Sequence, residues 1–265
     1  MNEINIKEEL ELQANAAPND EKEVKLTKNM TVPDMVKAMI PEIKKALPSV
    51  LTPERFTRIA LSALNNTPQL QQCTPMSFIA ALLNAAQLGL EPNTPLGQAY
   101  LIPYKNKGVL ECQFQIGYKG LIDLAYRNGQ MQTIQAQAVY ENDDFFYEYG
   151  LEPKLVHRPA FSERGELVYF YGIFRTVNGG FGFSVMSKSD MDHYAKTYSK
   201  AFDSGFSPWR TTYEEMAKKT VIKQALKYAP IKTDFQRALS TDETIKKQIS
   251  SDMFLVQNED IVIAE

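Results

Sequence analysis

The run from Cys73 to Gly129 constrains this chain more than any other segment, because the hydrophobic period changes twice within it. It reads CTPMSFIAALLNAAQLGLEPNTPLGQAYLIPYKNKGVLECQFQIGYKGLIDLAYRNG. Thr74 caps, Pro75 opens and Gly89 closes a helix. Its Ala80, Ala81, Ala85 and Ala86 admit a close neighbour, which is first a core-packing feature. Gln98 to Tyr104 and Val109 to Ile116 then alternate as strands around Lys105-Asn106-Lys107-Gly108, a hairpin turn with lysines at its tip. Gly120 to Arg127 returns to helix and ends at Asn128-Gly129.

The rest of the chain fits around that run. Residues 31–47 predict a helix with Thr31 as cap, Pro33 in the first turn and an apolar stripe of Met35, Val36, Met39, Ile40, Ile43 and Leu47, broken or kinked at Pro41. Thr52-Pro53-Glu54 starts another helix, with Phe56, Ile59, Ala60, Ala63 and Leu64 inward. Strands are expected at Met131–Tyr140, Phe145–Tyr149, Lys154–Arg158, Leu167–Thr176 and Gly182–Met186, the last two joined by Val177-Asn178-Gly179-Gly180. Helices return at Ser189–Ser199, Pro208–Ala229 and Thr233–Ile249. Helices, then strands, then helices, without βαβ alternation, predict an α+β fold: an antiparallel sheet with hairpins, flanked by N-terminal and C-terminal helical segments. The expected division is a flexible acidic arm over 1–30, a single core domain over 31–240 and an acidic C-terminal tail over 241–265. A short helix near Ile4–Leu12 is expected within the arm.

The 265 residues, 44% hydrophobic and 23% charged, suit a globular protein with a full core. No stretch approaches the roughly 18 consecutive apolar residues of a membrane span. The N-terminus, MNEINIKEELELQ, lacks an apolar signal core, so a cytoplasmic protein without a membrane partner is expected. Cys73 and Cys112 stand far apart, outside metal-like spacing, as in a reduced compartment. The formal net charge of −3 is unevenly spread. Residues 1–30 carry 4 basic and 7 acidic side chains, and residues 241–265 carry 2 and 6. Residues 185–240 carry 10 basic and 6 acidic ones, so acidic ends mask a basic segment.

Several chemistries have little to build on. There is no GxxxxGK[ST] loop for ATP. The two histidines, His157 and His193, lack HExxH or HxH spacing, so no metal or His-dependent triad is expected. His157 reads as structural, and His193 as part of a solvated helix face. One enzymatic pattern stands: Asp143 and Asp144 before Glu152-Pro153-Lys154, the D…ExK arrangement of Mg²⁺-dependent nucleases. It is short, frequent by chance, and centred on a proline that a paired core strand disfavours.

The helix from Trp209 to Ala229 carries the positive chemistry. Val221, Ile222, Ala225, Leu226 and Ala229 cluster on one side, and Lys219, Lys223 and Lys227 repeat at four-residue spacing on the other. Glu215 precedes Lys219 by four and supports the helix, while Lys218 stands near the boundary. Such a stripe, about 12 Å long by helix rise, spans several phosphates of a single strand. It is equally a solvated face. Lys119 and Arg127, eight residues apart, and Lys105 and Lys107 at the hairpin tip add to it. Tyr104, Tyr118, Tyr126, Tyr194, Tyr198, Phe206 and Trp209 interleave with these charges, and cationic grooves with aromatic rims hold single strands without reading sequence. Each ring alone reads first as core, and Phe145-Phe146-Tyr147 and Tyr169-Phe170-Tyr171 read so outright.

At LNAAQLGLEP, GQAYLIPY, ECQFQIGYKGLIDLAYRNG and SPWRTTYEEMAKKTVIKQALKYAP, roughly residues 30 to 240, the chain resembles the RecT family of phage single-strand annealing recombinases. The resemblance implies a DNA-annealing protein without covalent chemistry or cofactor. Such a protein coats single-stranded DNA and pairs it with a complement without ATP, as an oligomeric ring or helical filament. It implies a partner exonuclease, with host single-strand binding protein as a further partner through the tail, which reads equally as a simple disordered end. Carried over by position, the family's basic residues fall on Lys119, Arg127, Arg210, Lys218, Lys219 and Lys223; Lys105, Lys107 and Lys227 complete the expected set. The Ala80–Ala86 helix and the N-terminal helices are candidates for subunit contacts. A Mg²⁺ nuclease and a passive single-strand binder remain the competing classes.

Overall fold

The computed structural model describes residues 30–49, 51–199, 202, 207–230, 233–250 and 252–259. The expected helix near Ile4–Leu12, Phe206 and the apolar residues Ile261-Val262-Ile263 lie outside them.

The first layer is helical. Helices α1 (Val32–Ala38) and α2 (Ile40–Ala46) meet at Met39, where Pro41 forbids one continuous helix, and Thr31 caps α1 through the Asp34 amide. Helix α3 (Pro53–Asn66) starts on the Thr52 hydroxyl, which accepts from the Arg55 amide. Helix α4 (Pro75–Leu88) is apolar nearly all round and buried nearly all round. Gly89 ends it in the left-handed conformation at φ 60°, and the Leu90 amide reaches back to the Ala85 carbonyl. Ala80, Ala81, Ala85 and Ala86 are buried here, which favours the core reading of this face over the subunit-contact one: their smallness serves close packing within the chain. Both cysteines are free and buried, and burial pushes the Cys73 thiol up to about 12.

Strands β1 (Ala99–Asn106) and β2 (Val109–Ile116) form the expected hairpin, closed by Lys107 and Gly108 at φ 48° and 82°. Helix α5 (Tyr118–Tyr126) follows at once. Strand β3 (Met131–Tyr140) pairs with β6 (Leu167–Thr176), and β6 pairs with β7 (Phe181–Ser187), all antiparallel. Between β3 and β6 the chain inserts a separate hairpin, β4 (Asp144–Glu148) with β5 (Lys154–Arg158). Phe145, Tyr147 and Tyr149 turn its inner face onto Tyr169, Tyr171 and Phe183 of the three-stranded sheet. The α+β class is therefore as the sequence predicts.

Helix α6 (Lys188–Tyr198) precedes α7 (Pro208–Thr211), α8 (Tyr213–Leu226) and α9 (Thr233–Thr241). Helix α8 lies across the other face of the β3-β6-β7 sheet, so close that a methyl group on Gly172 would meet the Val221 backbone at 2.7 Å. Two expectations are corrected. The helix predicted over Pro208–Ala229 breaks at Thr212, where the Thr211 and Thr212 hydroxyls turn back onto the Ser207 and Pro208 carbonyls while Trp209 is anchored in the core. The helix predicted to Ile249 ends at Thr241, because Glu243 turns left-handed at φ 60° and Thr244 then pairs with Phe114 of β2.

That second break changes the boundary of the folded unit. The sequence ends the core at 240, but the chain beyond it forms a strap. Gln113 donates to the Glu243 carbonyl, Lys247 pairs with buried Glu111, and Gln87 of α4 binds both Asp252 and the Met253 amide. Ile245 and Met253 are buried. The segment through Glu259 is part of the packing rather than a tail.

Candidate nucleic-acid interface

The base of the β1-β2 hairpin and the start of α5 are locked by glycines. A methyl on Gly117 would meet the Gly97 carbonyl oxygen at 2.1 Å, and one on Gly120 would meet that of Gln98 at 2.0 Å. The 97–98 backbone thus lies flat against the first turn of α5. Tyr118 and Lys119 are presented there, Lys119 exposed and its stem crossing Gly97 near Tyr100. Helix α5 packs on α8, which brings Tyr100 and Tyr118 into the field of Glu214, Glu215, Lys218 and Lys219. Lys218 pairs with Glu214 at 2.6 Å; burial opposes its charge, but Glu214 and Glu215 hold its pKa above the usual range.

Lys219 corrects the sequence reading. It is 3% exposed, with its Nζ 2.9 Å from both Asp242 and Glu243. The helical period explains why: Lys219 stands three residues after Met216, three before Ile222 and seven before Leu226, within the buried stripe rather than opposite it. Its partner is therefore not Glu215, four residues back, but the strap. Asp242, 0% exposed at its side chain, also accepts from Lys223 at 3.0 Å and from the Ile116 amide at 2.8 Å. Burial would lower the charge of Lys223, yet Asp242 and Glu243 hold its pKa well above normal. Burial would likewise raise Asp242, and Lys219 and Lys223 overcome it.

Around this cluster stand Tyr194 and Tyr198 of α6, ring centroids 4.5 Å apart, the second largely exposed. They share with Lys219, Lys223, Trp209 and Glu243 a cavity of about 30 Å³. Lys119, Lys218 and Lys223, with Tyr100, Tyr118, Tyr194 and Tyr198, thus belong to α8 and the elements packed around it.

Other expected residues lie elsewhere. Lys105 and Lys107 are exposed at the hairpin tip, six and eight residues from Ala99, so about 20 Å or more from Lys119 by strand rise. Lys227 is exposed at the end of α8, and Arg210 donates from Nε to the Phe202 carbonyl. Arg127 is a structural cap: its guanidinium donates to the Leu88 and Gly89 carbonyls at the end of α4 and pairs with Asp123. The geometry is more specific than its sequence signal, because an arginine after a short helix says nothing of a carbonyl 39 residues back. Trp209 is buried against Phe170 and Met191, and the Tyr126 hydroxyl accepts from the Ile134 amide. His193 is exposed on α6.

The nuclease pattern is dispersed. Asp143 is buried beneath the β4-β5 hairpin, accepting from Arg164, His157 and the Tyr140 and Ala160 amides. The Arg164 bond, against burial, holds its pKa far below the carboxylate range. His157 is a structural histidine, bridging Asp143 and the Tyr171 hydroxyl. Asp144 pairs outward with Arg158, Lys154 with Glu148, and Glu152 is exposed at the turn. Among the described residues no three His, Cys, Asp or Glu side chains converge to hold a metal, and no helix is long and apolar enough to cross a membrane. The residues that sequence reasoning missed are carboxylates, Asp242 and Glu243 above all. Their signal was the acidic pair straight after a helix, opposite two lysines four residues apart.

The RecT family model matches residues 54–254, which takes in the glycine-locked α5, the lysines of α8 and most of the strap. The chain is 42% identical over 210 residues to Protein RecT of Escherichia coli K12, covering 78% of this chain and 77% of that one. It is 30% identical over 197 residues to the Bacillus subtilis 168 chain described as Uncharacterized protein YqaK, covering 74% and 66% respectively. With hairpin, α5 and α8 all inside the matched span, the chain belongs to the RecT family, whose work is DNA recombination and strand annealing.

Proposed function

We propose that this chain binds single-stranded DNA and pairs it with a complementary strand without ATP, releasing or retaining the annealed duplex, and that it does so as an oligomer or filament in phage recombination. The observation that carries the reading is the meeting of α5 and α8, which sets Lys119, Lys218 and Lys223 among Tyr100, Tyr118, Tyr194 and Tyr198. Lysines take the phosphates, and the tyrosine faces take sugars or bases without regard to sequence. The strand is held extended, its phosphate repulsion lowered, and its base edges left to test a second strand. Pairing and stacking then supply the drive, at about 1.4 kcal/mol per base step in DNA. No residue need form or break a bond.

The lysines of the hairpin tip, Lys105 and Lys107, and Lys227 and Arg210 extend the track at its ends. Arg127 supports the surface from behind. The proposed partners are the exonuclease that exposes the strand, host single-strand binding protein, and further copies of this chain, in the cytoplasm. The test is a mixing assay with two complementary labelled oligonucleotides in the absence of nucleotide. Faster pairing with strands left intact supports annealing. Binding without faster pairing identifies a passive single-strand binder, and shortened strands with Mg²⁺ identify a nuclease.

A further inference from the structure

The Lys219–Lys223 cluster contains two carboxylates of unlike standing. Asp242 is fully buried and accepts from three donors, including a backbone amide of β2. It orders the two lysines and ties the strap to the hairpin. Glu243 is 38% exposed at its side chain, and among the described residues its carboxylate pairs with the Lys219 ammonium. Its backbone sits at φ 60°, a conformation that a glutamate adopts at a cost and glycine does not. Its carboxylate lines the small cavity whose other walls include Tyr194, Tyr198, Lys219 and Lys223.

Charge counting separates the roles. Two lysines against two carboxylates leave the cluster neutral. With Glu243 turned out to solvent, Lys219 and Lys223 face Asp242 alone, and the site carries one net positive charge beneath two tyrosine rings. A carboxylate oxygen and a phosphodiester oxygen accept from the same ammonium in the same way. The cavity of about 30 Å³ is on the scale of a water, so a phosphate enters only where the Glu243 carboxylate leaves.

We infer that Glu243 is a built-in competitor of the nucleic-acid phosphate: its carboxylate occupies a Lys219–Lys223 phosphate subsite, and a strand backbone displaces it on binding. This rests on the single-strand-binding reading above. It assigns Asp242 as the positioning residue of the subsite and Glu243 as the group that tunes affinity. A strand must outcompete an internal anion here, so binding at this point is weakened and made exchangeable, as suits a protein that must let a strand slide into register with its complement.

The test compares the full-length wild type with Glu243→Gln and Glu243→Gly, measuring affinity for a fluorescent polythymidine strand across a salt series. The glutamine keeps the shape and removes the charge; the glycine also suits the left-handed backbone, so a fold lost in one variant is retained in the other. Both are expected to bind about threefold to tenfold more tightly, with the log–log salt slope steeper by about 0.7, one more phosphate contact. Adding Lys219→Met to either is expected to abolish the gain, which a merely structural role for Glu243 does not predict. Wild-type binding with an unchanged slope in both Glu243 variants overturns this inference alone. Absence of salt-dependent binding by the wild type overturns it together with the proposed function.

Discussion

Two buried aspartates organise this chain, and they do opposite things. Asp143 is sealed: its acceptor sites are taken by Arg164, His157 and two amides at the base of the β4-β5 hairpin. Asp242 is just as buried, but its partners Lys219 and Lys223 reach from it toward a surface of tyrosines, with half-exposed Glu243 beside them. The first cluster fixes a hairpin to a sheet. The second fixes a strap to α8 and leaves cations at the edge of a cavity. A buried carboxylate is structural in both places; what sets the second apart is a pair of lysines beside a cavity lined with tyrosines.

The largest expected effect is on the strap side. Truncation after Ser240 removes Asp242, leaves Lys219 buried without a partner and uncovers β2 and α4. The shortened chain is expected to be recovered aggregated or unfolded, whereas a chain ending after Glu259 keeps the wild-type melting temperature. Circular dichroism melts decide it, and a stable, cooperative chain ending at 240 would remove the contrast between the two clusters.

Next come Asp143→Ala and Asp242→Ala. Asp143→Ala leaves buried His157 and two amides without their acceptor, and Asp242→Ala leaves buried Lys219 with half-exposed Glu243 alone; each is expected to cost about 1–3 kcal/mol in urea unfolding. They part in DNA binding measured where both are folded. Asp143→Ala keeps the wild-type salt slope, and Asp242→Ala alters it.

Acid acts on both aspartates. Both carboxyls are held below their unfolded values, so the stability they supply is whole above about pH 4 and is lost as pH falls from there toward the folded values. Unfolding free energy is expected to drop below about pH 4 and to drop less steeply in Asp143→Asn. A variant curve parallel to wild type at low pH would contradict the assignment.

A smaller effect separates cap from contact. Arg127→Ala is expected to cost about 1 kcal/mol through lost carbonyl bonds and dipole complement at the end of α4. Lys119→Ala is expected to change stability by less than about 0.5 kcal/mol. In strand binding the order reverses, and equal binding losses in the two variants would blur the distinction.

Much of the fold was legible because it is locally written. Thr52-Pro53, Gly89, Lys107-Gly108 and the alternation in Leu167–Thr176 each act within a few residues, and each element formed where those signals stand. The separation of β4-β5 from the β3-β6-β7 sheet, and the strap on β2, depend on pairings across long stretches and had no local signal. At the site, Lys119 was readable as an exposed cation, whereas Tyr194 and Tyr198, each read first as core, stand half-buried and exposed on α6. Lys219 was misplaced because four-residue spacing with Lys223 was weighed above its three- and seven-residue spacing with Ile222 and Leu226. Arg127 was read as a charge, when geometry makes it the donor of three hydrogen bonds, to two carbonyls and a carboxylate.

The lysines of α5 and α8, Lys119 and Lys227 exposed and Lys218 partly so, are proposed to hold the phosphates of a single strand. The deciding measurement is the salt dependence of polythymidine binding by Lys119→Ala/Lys218→Ala/Lys227→Ala against wild type, with both melting alike. The expected result is weaker binding and a log–log slope shallower by about 2, three phosphates at about 0.7 each. An unchanged slope in a folded triple variant would contradict it.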